Sequence, residues 1–473
     1  MLLATNIVAK CLPNNNIGDR NLFMKTFVDF LFLYELKNRE LENICLLKYE
    51  LEKRGYSVGL INTWQYLGEK KPRINAQVML SFALYNDKVY GFVSGYCNKY
   101  QKIINLQWEQ IGTINDVNNP DSCFYIKGIP QKAVHLAWGK ATKDRLVSCG
   151  IDGKNIKITG HVGMDFLHEK LLPYYLPKDE LFSQYNIPLD KKVCFFISSF
   201  ASTATLDNED TGRESANLLS KEYATINFDD FMSISTVSQE RIIKWIEKVL
   251  DERDDLIFIY RPHPAEYISD ELKNRISEAR KFFVISEHSV KQWIITSDTI
   301  FTWYSTSLAE VYFAKKNCHI LRPVEIPIEM ELEIYKNAEF ITTYNDFVSV
   351  IDSDSSSFPV SEVNIHYYYS QDDSCSYMKI CDVFEEVLKD RSINVPLPKK
   401  APLTILIKQK LITTRIMKWC TNLLRHRFNY FACLYNKYYD VSKHIAQMKE
   451  RNSYSGKETG EILNKIRACI EKK

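Results

Sequence analysis

The sequence predicts an α/β chain built from two Rossmann-type halves around a central cleft, followed by a basic helical tail. Three observations predict it. Short apolar runs of strand length alternate with stretches of helical periodicity. Polar turns rich in His, Ser and Thr fall where those apolar runs end. Charge is divided unevenly: residues 391–473 hold 18 Lys and Arg against 5 Asp and Glu, leaving 43 bases against 54 acids in residues 1–390.

Each element has its own signal. Phe27–Leu33 is a short apolar, aromatic-rich run and reads as a buried strand. Asn38 is the expected N-cap of a helix whose Leu41, Ile44, Leu47 and Leu51 share a face and which stops at Arg54-Gly55-Tyr56. Val58–Ile61 is the next strand, so the first unit is βαβ with a right-handed crossover. Ile103–Trp108 reads as a strand, Gln131–Trp138 leads into a helix ending at Cys149-Gly150, and Ile156–Thr159 is a strand closed by Gly160. The polar, proline-containing stretch Pro173–Asp190 is the expected inter-domain joint. A second α/β half follows: Lys192–Ile197, a helix over Ser238–Asp251, and strands at Leu256–Ile259 and Phe282–Ile285. It continues with a helix at Ser289–Thr296, a strand at Thr299–Thr302, a Ser/Thr-rich helix start and a strand at Cys318–Leu321. Residues 362–390 read as helical and able to cross back to the first half. The expected domains are 1–180 on the acceptor side, 181–395 for the nucleotide sugar, and a tail at 396–473. In that tail Ile412, Ile416, Trp419 and Leu423 form one helix face among Arg415, Lys418, Arg425 and Arg427, a basic amphipathic pattern suited to anionic lipid.

Bulk composition excludes several classes. The 12 Cys are scattered with no CxxC pair, which suits reduced thiols in a cytoplasmic protein better than a zinc site or disulfide framework. The N-terminus has no signal-peptide pattern, and no apolar run approaches the ~20 residues of a membrane span. No GxGxxG, P-loop, HExxH or GxSxG is present. Asp352-Ser353-Asp354 sits in a Ser-rich loop and reads as a loop rather than a metal site, so no metal is expected. An acidic body argues against nucleic acid as a partner.

The chemistry concentrates at strand ends. Tyr260-Arg261-Pro262-His263-Pro264 follows the Leu256–Ile259 strand, and its two prolines present His263 on a stiff turn beside a fixed Arg261 charge. Thr302-Trp303-Tyr304-Ser305-Thr306-Ser307 ends another strand and opens a helix that carries Glu310. A phosphate needs such cationic and neutral donors, hydroxyls and helix-start N–H groups, and open α/β sheets bind ligands at their carboxyl edge. Glu310 is read either as a partner of ribose hydroxyls or as a favourable helix-start charge. Ser198 and Ser199, in a further hydroxyl-rich loop, are read equally as donor contacts and as plain loop residues. On the other half, Glu109 ends a strand opposite His263 and is the first candidate for a general base, with a structural ion pair as the competing reading. Glu35 is the second candidate and Asp165 the third, the latter also suited to shaping the joint.

Together these residues resemble bacterial surface-polysaccharide glycosyltransferases of the two-domain GT-B type. The Arg261-Pro262-His263-Pro264 turn is similar to the HP motif of bacterial sialyltransferases, polysialyltransferases and capsular Kdo transferases, and Ser305-Thr306-Ser307 to their paired-hydroxyl motif. Tyr34–Glu42, and Trp138-Gly139-Lys140 with Gly150 and Ile158-Thr159-Gly160, are similar to segments of surface-carbohydrate biosynthesis proteins. The resemblance implies that His263, Ser305, Thr306 and Ser307 contact the phosphate of a CMP-sugar. The acidic-acidic-Gly motif that supplies the sialyltransferase base has no clear counterpart here. The same pattern also resembles teichoic-acid polyol-phosphate transferases that use CDP-glycerol or CDP-ribitol, although those carry Trp-His-Gly where this chain has Trp108-Glu109-Gln110.

The expected function is an inverting, metal-independent glycosyltransferase with a nucleotide-sugar co-substrate and no further cofactor. It moves a sugar, an ulosonic or sialic-type acid from CMP, to a surface polysaccharide or lipid-linked glycan at the inner face of the cytoplasmic membrane. The alternatives are a CDP-polyol phosphotransferase and a non-catalytic assembly partner.

Overall fold

Two parallel six-stranded sheets carry the chain, as shown by a computed structural model that describes residues 26–67, 74–200, 228–263, 266, 281–353, 358–372, 374–393, 395 and 446–471. The first sheet is built on β1 (Thr26–Tyr34), whose Phe30 to Tyr34 are wholly buried. Helix α1 (Lys37–Lys53) follows, and β2 (Val58–Asn62) returns parallel to β1 with Phe30 opposite Val58 and Tyr34 opposite Asn62. Next come β3 (Ile74–Ser81), α2 (Asp87–Ser94), β4 (Lys102–Asn105), α3 (Ile114–Asn118), β5 (Val134–Ala137), α4 (Lys140–Ser148) and β6 (Ile156–Ile158). The strand order is β2-β1-β3-β4-β5-β6, so the direction of winding reverses between β1 and β3.

After α5 (Lys178–Gln184), the second sheet starts with β7 (Lys192–Ile197). It continues with α6 (Phe228–Glu252), β8 (Leu256–Arg261), β9 (Phe282–Val284), α7 (Val290–Thr296) and β10 (Thr299–Thr302). It ends with α8 (Leu308–Phe313), β11 (Asn317–Leu321) and β12 (Phe340–Ile341). The order β12-β11-β10-β7-β8-β9 is the doubly wound dinucleotide-fold order, with its switch point between β7 and β10. The fold is therefore α/β and GT-B-like, with two Rossmann-type sheets. Parallel strands buried on both faces explain the near-continuous apolar runs, such as Val193 to Ile197 and Leu256 to Ile259.

The structure differs from the sequence reading in several places. The strand β3, central to the first sheet, was not predicted. Its Asn75 and Gln77 interrupt the apolar run that marks the other strands. The strand expected at Ile103–Trp108 stops at Asn105, and Gln107 takes a left-handed φ of 45°, which turns Trp108 and Glu109 into a loop. Helix α1 starts at Lys37, its N-cap is Leu36, and Asn38 lies inside the first turn. The joint at Pro173–Asp190 contains α5, and its Leu176 exchanges two hydrogen bonds with the Gln292 amide (2.8 and 3.0 Å). The Ser/Thr-rich helix start opens only the six-residue α8, too short for the dipole contribution expected of it.

The last helices return to the first sheet. After α9 (Tyr344–Ile351) and α10 (Glu362–Tyr368), α11 (Ser376–Lys389) packs Phe384 against Phe30 and Phe32. Lys102 Nζ closes the helix by donating to the carbonyls of Val387 and Leu388 at 2.5 and 2.8 Å. Asp165 caps its start, accepting from the N–H groups of Ser376 and Tyr377 at 2.9 and 2.7 Å and from Gln371 Nε2 at 2.8 Å. Burial pushes the Asp165 carboxyl up to about 7. Gly160 permits the approach. Its φ is +75°, and a Cβ there would lie 2.3 Å from Ser376 Oγ. Finally α12 (Gly456–Glu471) buries Ile466 and Cys469 in the core around α1, and Tyr49 donates to Glu471 at 3.0 Å. The end of the tail therefore belongs to the first domain and is not a separate piece. The expected lipid face at Ile412, Ile416, Trp419 and Leu423 lies outside the described residues. Among the described residues no helix is long and apolar enough to cross a membrane.

Candidate active site

Register across the second sheet brings the donor-side residues together. Thr302 pairs with Ile197, and Ile197 pairs with Arg261, so three adjacent strands end level with one another. The loops that carry Ser198 and Ser199, His263, and Ser305 to Ser307 all leave from that edge. Two inter-strand steps, about 10 Å, separate the His-bearing turn from the hydroxyl-bearing one, which a nucleotide phosphate with its ribose can span.

Glu266 organises the turn, and the sequence reading missed it. Its carboxylate accepts from Ser198 Oγ (2.5 Å), from Gln239 Nε2 (2.8 Å), from the Tyr260 hydroxyl and from the His263 backbone N–H (2.8 Å). Its own N–H donates to the His263 carbonyl at 2.8 Å. An acid three residues after a proline-flanked His, able to close the turn onto its own backbone, was the available signal. His263 is exposed to solvent. Its crowded surroundings hold the imidazole below its ordinary value, while the Glu109 carboxylate opposes that shift. The ring is neutral at pH 7 and can donate one N–H to a phosphate oxygen without carrying a charge. Arg261 donates NH1 to the Glu287 carbonyl at 2.9 Å.

Several donor-side readings change. Ser198 Oγ is committed to Glu266 and Tyr260, and Ser199 Oγ accepts from Tyr304 N at 3.0 Å. Both hydroxyls brace loops. Glu310 pairs with Lys291 at 3.0 Å, both side chains being largely buried, so its carboxylate is held by an ammonium group. Ser305 Oγ accepts from Ser307 N at 3.2 Å, and the Tyr335 hydroxyl bridges the Ser305 N–H and carbonyl at 3.1 and 2.9 Å. Thr306 is exposed, while Ser305 and Ser307 are half-buried, so Thr306 is the most open hydroxyl of the three. Behind this loop Arg322, buried at the end of β11, lies against the rings of Trp303, Tyr304, Tyr335 and Phe340 and pairs with Glu331 at 2.9 Å. Asp352 is bound by Arg253 and by Lys192, as suits a surface loop.

The carboxyl edge of the first sheet holds a chain of charges. Glu35 lies just past β1, at the reversal between β1 and β3. Its N–H donates to Glu40 Oε2 at 2.8 Å. Glu40 is wholly buried, and its Oε1 accepts from Arg39 NH2 at 2.6 Å and Nε at 3.2 Å. Arg39 NH1 in turn pairs with Glu109, whose side chain is 41% exposed. Glu109 is thus ion-paired and still partly open to solvent. Glu35 is 6% exposed, and its Oε2 has no hydrogen-bond partner among the described residues. Burial, reinforced by the Glu40 charge, pushes its carboxyl up to about 7.

That shift has a stability consequence. A carboxyl whose folded value lies above its ordinary 4.5 binds more protons folded than unfolded, so stability is lost as pH rises through that interval. Glu35→Gln is expected to raise Tm by several degrees at pH 8 and to change it little at pH 4, as thermal melts at the two pH values would register.

The two edges face each other. The Glu109 charge acts on His263, and those of Lys291 and Arg39 both act on His161, which stacks edge-on to Trp138 with centroids 4.3 Å apart. Residues 112–114 and 331–333 tie the halves together through Ile114 N to Glu331 O (2.8 Å) and Glu333 N to Gly112 O (3.0 Å). Arg145 pairs with Glu333 across the same seam at 3.1 Å. Among the described residues no group of three or more His, Cys, Asp or Glu could hold a metal ion.

No family model and no curated protein sequence matches the chain. Solved structures do. The UDP-GlcNAc 2-epimerase of Methanocaldococcus jannaschii, in complex with UDP-GlcNAc and UDP, is 11% identical with a TM-score of 0.46, covering 76% of this chain and 99% of that one. The UDP-GlcNAc 2-epimerase of Neisseria meningitidis is 10% identical with a TM-score of 0.43, over 77% and 99%. The wall teichoic acid polymerase TagF with CDPG is 14% identical with a TM-score of 0.47, over 76% and 88%. Likeness at this level carries nothing about the chemistry of this chain.

Proposed function

We propose that the chain is an inverting, metal-independent glycosyltransferase that takes a sugar from a nucleotide donor, CMP-linked, to a surface polysaccharide or lipid-linked glycan. One observation carries the reading: Arg261, Ile197 and Thr302 end level on adjacent strands, so the His263 turn and the Thr306–Ser307 hydroxyls share an edge that faces Glu109. In the reaction an acceptor hydroxyl attacks the anomeric carbon and passes its proton to Glu109. The bond from that carbon to the phosphate oxygen breaks, and CMP leaves with the electron pair. His263 and the two hydroxyls donate to the departing phosphate as its charge develops. Inversion follows from a single displacement.

The first test is ligand stabilisation. CMP at about 100 times its Kd is expected to add about 2.7 kcal/mol of apparent stability and to raise Tm, with UDP and GDP giving smaller shifts. A flat response to CMP, CDP, UDP and GDP alike would sink the reading in favour of a non-catalytic role. Phosphate transferred to the acceptor along with CMP release would favour the polyol-phosphate alternative.

Membrane contact belongs to the same proposal. Residues 396–445 hold 10 Lys and Arg against 1 Asp, so they carry most of the tail's positive charge. Because α12 packs on α1, deleting 396–473 would also remove Ile466 and Cys469 from the core. The cleaner variant reverses Arg415, Lys418, Arg425 and Arg427 to Glu. It is expected to abolish sedimentation with anionic vesicles while leaving Tm unchanged. Undiminished sedimentation would refute lipid docking.

A further inference from the structure

We infer that Tyr335 is a positioning residue for the donor phosphate: it holds the hydroxyl loop in a place that the first half of the molecule dictates. The inference rests on the proposed transfer from a nucleotide sugar and deepens it. Residues 330–335 form a short segment that is bonded on two sides.

One side belongs to the first half. Thr113 and Leu332 form an antiparallel bridge. The Glu333 carboxylate accepts from the Gly112 N–H at 3.2 Å and from Arg145 NH1 at 3.1 Å. Arg145 is fixed in turn, with NH2 donating to the Gln110 carbonyl and its guanidinium 5.2 Å from the centroid of the Phe124 ring. Both members of the Arg145–Glu333 pair are largely buried, so removing either one strands a charge away from water.

The other side belongs to the hydroxyl loop. The Tyr304 hydroxyl donates to the Met330 carbonyl, and Arg322 pairs with Glu331. Tyr335 makes the closest tie. Its oxygen accepts from the Ser305 N–H at 3.1 Å and donates to the Ser305 carbonyl at 2.9 Å. It can do both because burial pushes its phenol above the ordinary value, which keeps the proton on the oxygen. The ring is buried against the Arg322 guanidinium and Phe340, and these fix the direction of its hydroxyl.

Glu333–Tyr335 is a single turn of 3₁₀ helix, rising about 2 Å per residue. A unit so short moves as one piece. Tyr335 therefore follows Glu333, and Glu333 follows Gly112 and Arg145. Ser305 directly precedes Thr306, the most open hydroxyl of the loop. The first half thereby sets where a phosphate-facing hydroxyl of the second half stands, without touching the phosphate itself.

The experiment uses the full chain, with CMP as the probe in calorimetric titration. Tyr335→Phe keeps the ring and removes only the oxygen. It is expected to raise the Kd for CMP by ~10-fold, the scale of two lost hydrogen bonds, and the KM for the sugar donor with it, while the acceptor KM stays unchanged. A tyrosine that only supports the fold would lower the ligand-free Tm and leave the Kd unmoved, and that result overturns the inference. Arg145→Lys keeps a charge but loses the fork to Glu333 and Gln110, and is expected to raise the Kd by ~3-fold. In the double variant the combined loss should fall short of the product of the two, because Glu333 joins both residues in one network. Losses that simply multiply would overturn the coupling between the halves. A wild-type chain that binds CMP, matched by Tyr335→Phe, overturns this inference alone. A wild-type chain that does not bind CMP overturns the donor reading, and this inference with it.

Discussion

His263→Ala is expected to lower sugar transfer by at least ~100-fold, the usual loss when one preorganised donor to a developing charge is removed. The argument is geometric. The Glu266 carboxylate holds the His263 backbone N–H at 2.8 Å and is itself fixed by Ser198, Gln239 and Tyr260. The ring is therefore presented by a turn that needs no reorganisation during the reaction. The loss should fall on kcat, with the KM for the nucleotide sugar changing little, since a neutral donor gains most once the phosphate begins to leave. His263→Gln keeps an N–H donor and should recover part of the loss. Wild-type turnover by the alanine variant in a coupled CMP-release assay would remove His263 from the mechanism.

Glu109→Gln is the second large effect, expected at ~10²–10⁴-fold for loss of a general base. Here the structure adds a rival. Glu35 is closer to the reversal point of the first sheet, and its carboxyl, pushed up to about 7, is tuned for proton transfer near neutral pH. The two are separable. If Glu109 is the base, Glu35→Gln keeps most of the activity and Glu109→Gln does not. If Glu35 is the base, activity rises as pH passes through about 7 and Glu35→Gln abolishes it. Pairing with Arg39 also gives Glu109 a positioning partner, and Arg39→Ala should mimic a fraction of the Glu109 loss.

What could be read in the sequence, and what could not, follows from the range of each interaction. Strands such as Lys192–Ile197 and Thr299–Thr302 were legible because a parallel strand buried on both faces writes its burial into consecutive residues. β3 was not, because polar residues at its start break the run. The His263 turn and the hydroxyl loop were visible as local motifs. Their convergence was not, since it depends on the register that sets Arg261, Ile197 and Thr302 level. The bonds made by Ser198, Ser199 and Glu310 were not legible for the same reason. Their partners Glu266, Tyr304 and Lys291 lie far off in the chain or in another element. Arg39 escaped notice because it joins its α1 neighbour Glu40 to Glu109, a loop residue 70 positions away in the chain.

The N-terminus of α1 has no side-chain cap from its own N-cap residue. Instead Asn452 Oδ1 accepts from Lys37 N at 2.9 Å, Lys37 Nζ pairs with Glu458 at 3.1 Å, and Tyr454 donates to the Leu60 carbonyl at 2.8 Å. The start of α1 is thus finished by a residue 415 positions further along the chain. At ~5–20 residues per second, that helix waits roughly 20–80 s during synthesis with its leading amide unmet. A chain stalled on the ribosome before Asn452 should therefore hold both sheets while α1 still lacks its cap.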